Sequence, residues 1–307
     1  MMNAIREKAR AFIYRNARPL DFARWRYHFE GGSPEAVVCA LSAYQNPDGG
    51  FGHGLEADCL NPESSPIQTW SATMVLREIG LYDPEHPVVS GLIRYLESGR
   101  DFDGHCWASV IPSNNDYPHA PWWSWTGPAK SAVRNYNPTA SLAGYLLRAA
   151  APESPAGMLA RRIAQEAYEY CMSGTAEPEM HLTPCFLGLC REAEIAAPGL
   201  FDVQRMREKL CVDALDCLNR DAKRWEGGYC AKPSDFISGR EDPLYPSFAA
   251  LAERECAFIA DSQLPSGAWP VTWQWADYPE DFAVSANRWQ SHLILKNLLF
   301  LRGMGRI

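Results

Sequence analysis

The sequence predicts an all-α chain, an α/α toroid of about five to six helical hairpins with an inner ring of buried helices and an outer ring of amphipathic ones. Three observations predict it. Four short turns share a polar, glycine-containing, aromatic character: Asn46-Pro-Asp-Gly-Gly-Phe-Gly52, Asp101-Phe-Asp-Gly-His-Cys-Trp107, Trp225-Glu-Gly-Gly-Tyr229 and Ser266-Gly-Ala-Trp-Pro270. The interval from Trp107 to Tyr229 is close to twice that from Phe51 to Trp107, and the one from Tyr229 to Trp269 is shorter, as expected of a repeated unit with drift and insertions. Finally, segments before the turns are amphipathic, whereas segments after them are apolar nearly all round.

In chain order, residues 1–32 read as N-terminal helices that pack on the ring or complete it. An outer helix then leads to the turn at 46–52, and an inner helix starts at Pro66. Val88, Val89, Leu92, Ile93 and Leu96 form the stripe of the next outer helix. The inner helices include Ala140–Leu147, Thr183–Cys190 and Leu293–Leu301, with a degenerate turn near Ser173-Gly174. Met206, Leu210 and Leu218 mark another outer helix beside Arg207, Glu208, Lys209, Asp213 and Asp216. Pro66, Pro138 and Ser285 are expected at helix starts, and Gly80 and Gly303 at helix ends. From Cys230 to Pro246 an inner helix is due, yet Pro, Ser, Gly and charged residues dominate, so one hairpin is expected to be distorted.

The 307 residues are read as one toroid domain, since helical rings exceed the usual domain length. No window approaches the about 18 consecutive apolar residues of a spanning helix. Residues 1–18 lack the apolar segment and cleavage site of a secretory signal. The ten cysteines contain no CxxC pair and suit reduced thiols, so a cytoplasmic location is expected. A formal charge of −8 argues against a nucleic-acid partner, whose binding rests on phosphate neutralisation.

A turn such as Gln45-Asn-Pro-Asp-Gly-Gly-Phe-Gly52 closing an outer helix, with an inner helix from Pro66, resembles the prenyltransferase and squalene-cyclase repeat of the terpenoid cyclase and protein prenyltransferase α/α toroid superfamily. The resemblance runs from about Ser33 to Arg302 and implies the toroid fold and an isoprenoid-type substrate in a central cavity. Cyclases of this superfamily that protonate their substrate use a DxDD motif; the nearest string here, Asp101-Phe-Asp-Gly104, lacks the last acid. The prenyltransferases hold zinc with an Asp, a Cys and a His; Asp58, Cys59 and His292 supply the types without the D-x-C spacing. No catalytic residue is carried over, and no metal or cofactor is demanded.

Connections from inner to outer helices are short (81–86, 151–155, 195–202), and those from outer to inner are long (47–65, 99–136, 220–244, 266–284). In an alternating ring the long loops gather at one end, where ligands are expected. Eight of the eleven tryptophans lie in them: Trp107, Trp122, Trp123, Trp125, Trp225, Trp269, Trp273 and Trp275. They either pack the loops onto the core or line an aromatic pocket.

The catalytic candidates are His53, Glu56 and Asp58, a histidine and two carboxylates between a glycine turn and an inner helix, and Asp103. Glu56 and Asp58 would share one side of an extended segment, or instead cap the helix or brace the loop. The binding candidates are His105, Trp107, Asn115, His119, Trp122, Trp123, Trp125, Glu226, Tyr229, Trp269 and Trp273. Pro118, Pro121 and Pro128 would stiffen the long loop that carries many of them. His292, on an apolar helix, reads as a hydrogen-bonded core histidine. Three functions compete: acid chemistry on an isoprenoid, a polysaccharide lyase or glycoside hydrolase, and a non-catalytic ligand-binding module. Oligomeric state is not legible.

Overall fold

A computed structural model describes residues 2–127, 136–218, 222–225 and 227–307. The described residues form eleven α-helices: α1 (Met2–Asn16), α2 (Pro19–Phe29), α3 (Pro34–Ser42), α4 (Pro66–Glu78), α5 (Pro87–Glu97), α6 (Thr139–Ala149), α7 (Pro155–Met172), α8 (Leu182–Ala196), α9 (Val203–Cys217), α10 (Tyr245–Asp261) and α11 (Pro279–Gly303). Extended pairing among them is confined to isolated bridges, so the chain is all-α. None of these helices is long and apolar enough to cross a membrane. None of the ten cysteines is in a disulfide.

The chain folds as two compact units, one of Met1–Ala40 with Ala214–Ile307 and one of Leu41–Asp213. The second unit is two layers deep. α6 packs against α4 on one side and α8 on the other, while α5 and α7 pack on each other and on α6. Every residue of α6 except Arg148 is buried, whereas α5 buries a stripe of Val88, Val89, Gly91, Leu92, Tyr95 and Leu96, and α7 buries Ala156, Gly157, Ala160, Ile163, Ala164, Ala167 and Cys171. Contacts divide these helices into an inner α4–α6–α8 row and an outer α5–α7 row, but only α6 is buried nearly all round, since Met74 of α4 and Ile195 of α8 are exposed. Small residues let the rows approach: Gly144 of α6 sits so close to Leu189 of α8 that a Cβ would lie 3.0 Å from its Cα.

The glycine turns repeat in atomic detail. Asn46 N–H donates to Gly50 O, Gly49 N–H to Asn46 O, and Gly50 N–H to Asp48 Oδ1. In the other unit Leu264 N–H donates to Ala268 O, Gly267 N–H to Leu264 O, and Ala268 N–H to Ser266 Oγ. A glutamine anchors each turn to a helix: Gln45 Nε2 donates to Gly49 O and to Val88 O of α5, and Gln263 Nε2 donates to Gly267 O and to Ile5 O of α1, each at 2.9 Å. Gly49 and Gly267 have φ of +94° and +97°, and a Cβ on either would lie 2.0 or 2.1 Å from a carbonyl oxygen, of Gly91 on α5 or Lys8 on α1. α1 thus stands to the turn at 263–269 as the outer helix α5 stands to the turn at 45–51.

In the first unit α1, α2 and α11 pack together, and a 3-10 turn at Pro233–Asp235 packs on α10 and α11. Between α9 and α10 the described residues hold only 3-10 turns, so the hairpin expected to be distorted there has no inner α-helix. Lys296 of α11 pairs with Asp235, and Glu255 of α10 accepts from Ser234 Oγ (2.6 Å) and Ser234 N–H (2.8 Å), which ties the turn to both helices in place of a helix of its own. One helix start differs from expectation. α11 begins at Pro279 rather than near Ser285, because the Pro-Glu-Asp run puts proline and two acids in the first turn, where the free N–H groups and dipole favour them.

Candidate functional site

In the second unit the two loops that precede inner helices α4 and α6 pair with each other. Cys59 and His119 form an antiparallel bridge, Ala120 N–H donates to Asp58 O at 2.8 Å, and Leu60 N–H donates to Pro118 O at 3.0 Å. The structure thereby joins Glu56 and Asp58 to the segment of Asn115, His119, Trp122, Trp123 and Trp125. The first loop is held from below by α4. Ser65 caps that helix by accepting Gln68 N–H, and the buried Gln68 side chain accepts from Leu55 N–H (2.8 Å) and donates to Asn61 O (2.9 Å). Asn61 Nδ2 then donates to Ser113 Oγ and to Asn114 Oδ1, and Asn114 Nδ2 donates to Trp123 O at 3.0 Å. These amides knit the loops with side-chain bonds where no ladder exists.

The four catalytic candidates sit in different environments. Residues 53–58 form turns rather than an extended segment, because Glu56 Oε2 accepts Asp58 N–H at 3.0 Å and curls the chain. Both carboxylates are nonetheless buried, Glu56 to 8% exposure and Asp58 to 3%. Burial pushes the adjoining Cys59 thiol up to about 12, with the charges of Glu56 and Asp58 adding to the effect. His53 is exposed at φ +60° and lies 2.9 Å from Asn46 Oδ1 through Nε2, which places it on the rim. Asp103 Oδ1 accepts His105 N–H and Cys106 N–H, bracing its own turn. Its neighbour Asp101 is the more enclosed acid: burial raises its pKa, partly opposed by Arg100, and Tyr95 Oη donates to it at 3.3 Å.

Among the binding candidates, Trp107 is only 1% exposed; its ring packs on Phe102 and its backbone N–H donates to Thr139 Oγ1 of α6. Phe51 repeats that bond to Thr69 of α4, which makes the closing aromatics of these turns part of the core. Trp122 is 43% exposed, and Trp123 and Trp125 are half-buried, so these three offer ring surface to a ligand. Asn115 is tied down by a pair of bonds with the Trp125 backbone. His105 Nδ1 lies 2.8 Å from Glu166 of α7, an outer-row contact. In the first unit Trp269 is buried and donates to Ile259 O. Exposed Tyr229 meets Trp273 edge-on, Trp273 meets Trp289, and Trp289 meets His292. His292 is accordingly part of an aromatic series on α11. Glu226 and Pro128 lie outside the described residues.

No family model, curated protein or solved structure matches this chain. Function is therefore read from the site itself. Among the described residues no group of three or more His, Cys, Asp or Glu side chains is placed to hold a metal ion. Two residues of chemical interest escaped the sequence reading. Asp101 was passed over for Asp103, although only a structure reveals which of two nearby acids its own turn consumes. Ser124 carries no motif; it matters because His119 lies beside it.

Proposed function

We propose that the chain is an α/α toroid of the terpenoid cyclase and protein prenyltransferase kind, and that the loops at 53–61 and 111–125 line its ligand cavity. Supporting this fold, the 263–269 turn docks on α1 just as the 45–51 turn docks on α5, a repeated contact of the kind a repeated hairpin makes. The substrate is an isoprenoid-type molecule, and a carboxyl group of Asp58 or Glu56 supplies general acid and base chemistry to it. One observation carries this reading: two buried carboxylates lie in a segment paired to a tryptophan-bearing loop. Protonating an alkene needs an acid with water kept away from the cation, and aromatic faces stabilise that cation.

The test is incubation with prenyl diphosphates and neutral isoprenoids, followed by product analysis. Turnover by the wild type, lost by a factor of roughly 100 or more in Asp58→Asn or Glu56→Gln with unfolding unchanged, supports the reading. Absence of binding and product across that panel contradicts it. A second reading, a carbohydrate lyase or hydrolase, draws on exposed Trp122 in a polar loop, a platform suited to a sugar ring. Binding of oligosaccharides in place of isoprenoids would favour it.

A further inference from the structure

His119 and Ser124 make a second arrangement in the same loop. His119 Nδ1 lies 2.6 Å from the Tyr117 carbonyl oxygen, an acceptor only, so Nδ1 carries the proton and donates. In the neutral ring Nε2 is then an acceptor, and Ser124 Oγ lies 3.0 Å from it. The hydroxyl therefore donates to the imidazole. This is the relation of a nucleophile to its base, with the base in turn oriented by a third group, here a backbone carbonyl.

The surroundings suit that relation. His119 is buried and fixed by its bridge to Cys59, while Ser124 is half-buried at the end of the short 3-10 turn Pro121–Trp123. A held base beneath a reachable hydroxyl is the required order. Next to the serine in the chain, Trp123 keeps a buried indole N–H that has no acceptor among the described residues. Trp122 and Trp125 stand on either side of the serine in the chain and keep part of their surface exposed, which favours an ester whose acyl group is apolar.

We propose that Ser124 and His119 form an acyl-transfer site for apolar esters, an activity beyond the isoprenoid chemistry proposed above and independent of it. Ser124 Oγ attacks the acyl carbon as its proton passes to His119 Nε2. The tetrahedral adduct collapses by breaking the ester C–O bond, and the departing alkoxide takes the proton from Nε2. Water then attacks the acyl-serine with Nε2 as base; the acid leaves, and the proton returns to Oγ.

The experiment uses the full chain and a fluorophosphonate probe, which forms an Oγ–P bond and expels fluoride. Peptide mass mapping of the labelled wild type is expected to place one adduct on Ser124. Labelling should disappear in Ser124→Ala and slow by roughly 100-fold in His119→Ala, with far-ultraviolet circular dichroism melts unchanged in Ser124→Ala. An adduct on another serine, or no labelling of a folded wild type, overturns the proposal. Because the mapping reads wild-type protein, it holds even if a variant misfolds. Its outcome is also separate from isoprenoid turnover, because the mapping reads which serine of the wild type carries the phosphonyl group and not the formation of any isoprenoid product.

Discussion

Gly49 and Gly267 show how much of this molecule depends on the absence of a side chain. Each adopts a positive φ and lies against a helix backbone, so Gly49→Ala or Gly267→Ala combines a left-handed strain with a contact near 2 Å. Either substitution is expected to cost roughly 3 kcal/mol or more, measured by chemical denaturation, while Gln45→Ala, which removes two hydrogen bonds, costs about 1–2 kcal/mol. Glu255 carries a different signature. It is fully buried, and burial pushes its pKa up to about 7 against the hydrogen bonds from Ser234 and the charge of Lys296, with Asp235 adding upward pressure. Its folded pKa therefore exceeds its unfolded value, so the stabilisation is complete below about pH 4.3 and is lost as pH rises to about 7. The loss is on the order of 3 kcal/mol. Urea midpoints across that window should fall for the wild type relative to Glu255→Gln; parallel curves would refute the assignment.

At the scale of elements, one ion cluster binds the inner row of the second unit. Glu192 of α8 pairs with Arg77 of α4 at 2.9 Å and with Arg148 of α6 at 3.1 Å, and it accepts from Tyr82 Oη. Glu192 is buried, so Glu192→Ala leaves two arginines without their counter-charge and is expected to cost roughly 3 kcal/mol, read by thermal unfolding. Little of this was legible beforehand. Periodicity located the helices, because burial of a stripe or of a whole circumference is written in residue spacing. Which charges meet across three helices is not, since Arg77, Arg148 and Glu192 are far apart in the chain. The same reason explains the glutamine anchors: Gln45 and Gln263 each precede a glycine by four positions, a recurrence visible in the sequence, but their partners Val88 and Ile5 are remote. The site followed this pattern too. The sequence marks its loops by their length and tryptophans, whereas the inward packing of Trp107 and the use of Asp103 by its own turn depend on contacts that only the fold creates.

At the scale of the whole molecule the proposal is a ligand held against two loops of the Leu41–Asp213 unit. The ligand reading is tested most directly by hydrogen–deuterium exchange with and without an isoprenoid. Ligand is expected to slow exchange at 53–61 and 111–125, leaving α2 unaffected. Unchanged exchange in both loops under saturating isoprenoid, or protection confined to α1 and α2, would contradict the site proposed for this protein.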